Sequence, residues 1–256
     1  MASQPTAVQG AVEVVPWKSV GPGWVLVEHG TGTLDKPAPM TLDLVSPTGA
    51  KYALHTFPAQ TYGNWLVAWS GDKTHALFKI GTTNTYQQWN LQTGKVISEF
   101  TLPKGTASVS YTSPTGQELI GVVNTLTKTT ETSTVERFNL AGQVVKILAS
   151  EASSTIDPFP LQPAQSADGK TVALGYSGGL EVVSNAGGAV QRLPVPGTNP
   201  RLGCYVARWW DSGTVLAVCS GQLSFRLWLV PTGGAEPTAL TPVRTATSGS
   251  SGLSVM

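Results

Sequence analysis

Two cysteines, three histidines and scattered aspartates are the side chains of this 256-residue chain with chemistry to offer beyond packing. The cysteines, Cys204 and Cys219, flank a bend at Asp211-Ser212-Gly213. Two sulfurs cannot fill a tetrahedral metal site, and no histidine lies near them in sequence. Their spacing is far from Cys-x-x-Cys, which excludes a thioredoxin-like pair. If Trp210 and Gly213 flank a two-residue turn, directly opposed residues share one sum of residue numbers, and Cys204 with Cys219 has that sum. Opposed residues of an antiparallel pair have Cα atoms about 4.5–5.5 Å apart, within disulfide range. The alternative is two buried thiols in a cytosolic core; the register argument predicts the bridge. A bridge points to an oxidising, extracytoplasmic compartment.

The remaining candidates offer little chemistry. Glu28 and His29 are an acid and a base in sequence, but adjacent strand residues point to opposite faces. His55 and His75 fall in strands and read as structural residues. A glycosidase needs two or three convergent carboxylates. Of Asp35, Asp43, Asp72, Asp157, Asp168 and Asp211, three (Asp72, Asp168 and Asp211) occupy equivalent bends where Asx-turn capping explains them. Asp43 precedes a turn, which leaves Asp35 and Asp157 in long loops. No serine sits in a nucleophile elbow, and no phosphate-binding glycine motif occurs. No catalytic residue, metal site or cofactor is therefore expected.

Composition narrows the class. Hydrophobic residues make up 41% and charged residues 12%, against about 25% charged in an average soluble protein. Solubility must rest on Ser, Thr, Asn and Gln, as on many extracellular β-proteins. A net charge of +1 lacks the basic footprint of a nucleic-acid binder. No apolar stretch approaches the eighteen or so residues of a membrane span. The N-terminal "MASQPTAVQG" has no signal-peptide pattern, as expected of a cytosolic protein or of a mature or trimmed chain.

The elements that must position these residues repeat. Five segments share an apolar run, a glycine turn and a second apolar run: 42–54, 89–100, 138–148, 181–193 and 227–240. Their turn glycines, Gly49, Gly94, Gly142, Gly187 and Gly233, are 45, 48, 45 and 46 residues apart. A second set of hairpins lies out of phase, at 67–80, 109–123, 163–176 and 206–219, with a weaker first copy at 14–30. Two hairpins make four strands, and a four-stranded repeat of this length is a propeller blade. The spacing predicts an all-β propeller over 12–242, with blades near 12–57, 65–102, 107–148, 160–194 and 204–242. Residues 1–11 read as disordered and 243–256 as a flexible tail or cut end. The five copies close as a five-bladed ring or are five of six blades, the last one missing; the partial ring is preferred. A β-sandwich gives no reason for turn chemistry at a constant interval.

The phrases "AWSGDKTHALF", "SYTSPTGQELI" and "QSADGKTVALG" resemble the hairpins of TolB-like and WD-repeat-like propellers. The stretch "RWWDSGTVLAVC…RLWLVPTGG" is similar to uncharacterised secreted or lipid-anchored propellers of actinobacteria. The resemblance covers about residues 20–242 and implies binding or envelope-scaffold roles. The repeated Gly-His and Trp-Asp dipeptides of true WD proteins are absent, and Trp210-Asp211 sits at a bend.

A partner would meet the loops that emerge on one face, at 58–65, 81–88, 124–134, 151–162 and 194–203. Tyr62, Tyr86, Phe159 and Arg201 are their larger contact-forming residues, of types enriched at interfaces. Trp69, Trp89, Trp209, Trp210 and Trp228 read as packing within repeat strands. The expected protein is a monomeric, non-enzymatic, extracytoplasmic propeller binding a protein or glycan partner. A propeller glycosidase and a structural domain of a longer envelope protein are the alternatives.

Overall fold

The structure is a computed structural model. It describes residues 14–245 apart from 22, 31–35, 37, 60–63, 113–115, 127–130, 154–162, 177, 199–202, 221–223 and 243. Five antiparallel sheets follow one another along the chain. The first holds β1 (Val25–Gly30), β2 (Met40–Val45) and β3 (Lys51–Phe57). The second holds β4 (Asn64–Trp69), β5 (His75–Ile80), β6 (Thr85–Asn90) and β7 (Lys95–Thr101). The third runs from β8 (Thr106–Tyr111) through β9 (Glu118–Leu126) and β10 (Glu131–Asn139) to β11 (Val144–Ser153). The fourth is β12 (Ala164–Gln165), β13 (Thr171–Tyr176), β14 (Gly179–Ser184) and β15 (Gln191–Pro194). The fifth is β16 (Cys204–Trp209), β17 (Thr214–Ser220), β18 (Ser224–Pro231) and β19 (Thr238–Ala239), with β20 (Arg244–Thr245) also paired to β18. These sheets are the blades of a five-bladed propeller; strands from all five line one axial cavity.

Turn chemistry sets the blade plan. Gly49, Gly94, Gly142 and Gly187 have positive φ at the turns between third and fourth strands; in the fifth blade Gly234, not Gly233, takes that role. The alternate turns are held by a repeated side-chain device. Ser70 and Ser166 donate to Asp72 and Asp168, and each aspartate then accepts the N–H of Thr74 or Lys170. Asp211 accepts the Gly213 N–H in the same manner, so all three aspartates are turn caps. Lys73 has φ 65° where Gly169 has 73°, and its Nζ donates to the Val20 carbonyl at 3.1 Å.

One expected hairpin is only half there. The turn equivalences make β1 a second strand, with β2 and β3 the third and fourth of their blade. The innermost strand that the other sheets possess has no counterpart in the first sheet among the described residues. Trp17–Ser19 instead form a 3-10 turn, and Pro16 has no N–H for a ladder.

Alternating apolar residues from neighbouring sheets fill the interfaces. Leu42, Leu44, Phe57, Phe78 and Leu91 join the first to the second, and Tyr86, Phe100, Leu119 and Phe138 the second to the third. Ile120, Val122, Leu174 and Val183 join third to fourth, and Leu180, Leu193, Val206, Val215 and Trp228 fourth to fifth. The cysteines lie in this last cluster and form a disulfide, with Cα atoms 4.0 Å apart. They pair as predicted, but two features of the hairpin differ from the argument. Trp210 donates to the Thr214 carbonyl, so the loop has three residues, and a bulge at Ala207 restores the register. Beside the bridge β13 and β16 touch so closely that a Cβ on Gly175 would lie 2.0 Å from the Cys204 carbonyl oxygen.

Candidate functional site

The innermost strands converge on the axial cavity, of about 380 Å3. Its wall takes Leu26 from β1, Leu66–Trp69 from β4, Ser110 and Tyr111 from β8, Ala164 and Gln165 from β12, and Val206–Trp209 from β16. Bulges recur in three of these strands, at Val67, Ala107 and Ala207. Each turns the strand end relative to its partner and sharpens the local twist. The Ser110 hydroxyl donates to the Pro163 carbonyl at 2.7 Å, and the Trp209 indole N–H to the Ala164 carbonyl at 2.9 Å. Side chains thus tie inner strands of adjacent blades together.

Trp69 ends β4 as Trp209 ends β16, yet its buried indole N–H has no partner. The acceptor that Trp209 uses belongs to the innermost strand of the preceding blade, and for Trp69 that strand is the missing one. The Tyr111 hydroxyl is also buried without a hydrogen bond of good geometry; burial pushes its pKa well up, an effect the Gln88 side chain only partly offsets. Nearer the start of β4, Glu28 accepts the Leu66 N–H through Oε2 at 2.9 Å, while its buried Oε1 is unpaired. Burial raises the Glu28 pKa against the lowering effect of that bond. The cavity wall is thus mainly apolar, with one orphan donor, the Trp69 indole N–H, and a guanidinium, Arg208, stacked over Trp210.

Glu28 and His29 diverge as strand neighbours do, Glu28 toward β4 and His29 toward Asp43, whose carboxylate lies 2.9 Å from its Nε2. His75 contacts Asp72 at 2.9 Å within the turn network. Burial alone would raise the Asp72 pKa, but the bonds from Ser70 and Thr74 outweigh it and the pKa is lowered. Among the described residues no group of three His, Cys, Asp or Glu is placed to hold a metal ion.

Of the predicted contact residues, Tyr62, Phe159 and Arg201 lie outside the described residues, as do Asp35 and Asp157. Tyr86 requires correction. It belongs to β6, is 2% exposed, and stacks on Phe100 in the core. The polar run before it is a short turn at 81–84, and the alternation of β6 turns Tyr86 and Gln88 inward. Trp210 is not packed within a strand either; it lies at the hairpin bend, 52% exposed. The cavity-lining residues escaped sequence reasoning because they come from five separate strands. The recurrent aromatic ends of the inner strands, Trp69, Tyr111 and Trp209, were the available signal.

Solved structures share this arrangement. TolB from Acinetobacter baumannii superposes with a TM-score of 0.61 at 17% identity, over 86% of this chain and 53% of that one. The fold is that of a TolB-like β-propeller. A putative TolB from Agrobacterium tumefaciens gives a TM-score of 0.55 at 13% identity, over 75% of this chain and 66% of that one. The TolB-like propeller therefore spans between half and two thirds of the length of these structures. No protein-family model and no curated protein matches the sequence.

Proposed function

We propose that this propeller is a non-enzymatic, extracytoplasmic binding or scaffold module that takes a protein or glycan partner at its axial cavity. The observation that carries the reading is the axial cavity itself, walled mainly by apolar side chains from all five sheets, with the buried, unpartnered indole N–H of the wall residue Trp69. A buried donor without an acceptor costs about 1–3 kcal/mol, and a ligand oxygen that displaces the groups covering the indole recovers this energy. Peptide carbonyls and sugar hydroxyls both supply such oxygens, and the apolar walls suit either a side chain or a sugar face. The disulfide supports a compartment where thiols oxidise.

The test is a pair of peptide and glycan arrays read with the wild type and with Ala207→Trp, which fills the cavity from the β16 bulge. Specific binding that falls about tenfold or more in the variant is the expected result. Binding that is indifferent to the substitution moves the site elsewhere, and turnover of chromogenic glycosides replaces the reading with the hydrolase.

A further inference from the structure

The geometry points to a specific occupant for this cavity: an extended peptide segment of a partner protein, added as a strand to the free edge of β1. The inference rests on the binding role proposed above and names its ligand class. Three observations meet at the same place. First, β1 pairs with β2 alone among the described residues, while each of its counterparts in the other sheets pairs on both sides. A strand paired on one edge directs alternate N–H and C=O groups away from its partner, and another extended backbone matches such a row. Second, that edge is not remote from the cavity, since Leu26 of β1 is part of its wall. Third, the Trp69 indole N–H lacks the acceptor that its counterpart Trp209 finds in the inner strand of the neighbouring blade. A peptide lying along β1 would present a carbonyl to Trp69 where a built-in strand would have done so.

The residues that the repeat spacing assigns to this position are engaged elsewhere. Val15 and Trp17 pack against the cluster between the first and second sheets, and the Trp17 N–H bonds to the Val15 carbonyl. Pro16 between them cannot donate to a ladder. The walls also limit the side chains admitted. Ala68, Ala164 and Ala207 leave room for short apolar groups, and β1 offers six residues for pairing. The favoured ligand is a strand of about six residues with small apolar side chains, read chiefly through its backbone.

A synthetic peptide with the sequence of Thr106–Tyr111, an inner strand of this protein, is a suitable probe for titration against the full chain. Two further versions carry N-methyl groups on one or the other set of alternate amides. The expected result is binding by the parent peptide, retained by one methylated version and reduced about tenfold or more in the other, because one set of amides faces β1. Trp69→Phe should weaken the parent severalfold while circular dichroism still reports the folded propeller at the temperature of the titration. Hydrogen exchange of the free protein should find alternate amides of Val25–Gly30 unprotected and should find them protected by the peptide. Equal binding of both methylated versions overturns strand pairing and leaves cavity binding standing. No binding by any peptide, alongside an array ligand sensitive to Ala207→Trp, overturns this inference alone. Loss of both overturns the proposed function as well. Alternate amides already protected in the free protein would show that the chain fills the position itself, which also overturns the assignment to a partner.

Discussion

Between the fourth and fifth sheets the side chains of β13, β14, β16, β17 and β18 interlock, with Ala173, Leu180, Val215 and Ala217 fully buried and a disulfide embedded among them. The opposite face of the fifth sheet, which turns toward the first, is built differently. Tyr205 and Phe225 are 42% and 41% exposed, and Val218, though buried, belongs to no core cluster. Across from it the first sheet offers Val27, 38% exposed, and the buried carboxylate of Asp43 held by His29. Among the described residues no core cluster joins these two sheets. Four interfaces are thus built from interdigitated apolar residues, and the fifth is a seam. Since stability follows packed contacts, cooperative strength should run from the first sheet through the middle blades to the fifth, and the ring should open where its ends meet.

Substitutions that leave the two kinds of interface unequal, or that level them, test this contrast. The largest effect is expected from Phe138→Ala, which empties a fully buried site between the second and third sheets. Urea denaturation should report a loss of about 3–5 kcal/mol. Next comes the bridge. Cys204→Ser or Cys219→Ser should each cost about 2–3 kcal/mol, with no further loss in the double variant, because either change removes the same cross-link. Thiol labelling in denaturant without reductant should find no free sulfhydryl in the parent. At the seam, Phe225→Ala should cost only about 1 kcal/mol in the same denaturation, since its ring is already partly in water. A cost equal to that of Phe138→Ala would erase the contrast.

The smallest effect concerns Glu28, which bridges the first sheet to β4 at the packed interface between the first and second sheets. Its pKa is raised in the folded protein, so the native state holds the proton more tightly than the unfolded chain. The associated stability is full below the ordinary glutamate value of 4.5 and is lost as pH rises through the higher folded value. Glu28→Gln keeps an acceptor for the Leu66 N–H and removes the burial cost of the charge. Melting at pH 7 should show a gain of about 0.5 kcal/mol, small because the carboxyl is partly screened by solvent. The same variant should flatten the pH dependence above pH 4.5.

Much of the fold was legible because its determinants are local. Positive-φ glycines at a constant interval and Ser-x-Asp turns fix where strands end, and these need only a few adjacent residues. The missing inner strand was harder to read. Val12 to Trp17 has the apolar pattern of its counterparts, and only Pro16 and the 3-10 turn after it mark the departure. Tyr86 was misread for a related reason. β6 is a polar strand whose glutamines bond Glu99 and Ser98 of β7, so burial comes from sheet partners that no local window contains. The cavity lies further still from sequence reading, because Leu26, Trp69, Tyr111 and Trp209 meet only when the ring forms.

The hairpin that carries the disulfide works like a vernier. Its loop is one residue longer than the tight turn, and the bulge at Ala207 takes that residue back before the cysteines are reached. Neither irregularity is tolerable alone. Deleting one residue from Asp211–Gly213 would set Cys204 opposite a neighbour of Cys219, with the sulfurs on opposite faces of the sheet. Straightening the bulge without shortening the loop would do the same in the other direction. Length changes on the two arms are therefore viable only in matched pairs, and the bond, three residues from the bulge, records whether the count is right.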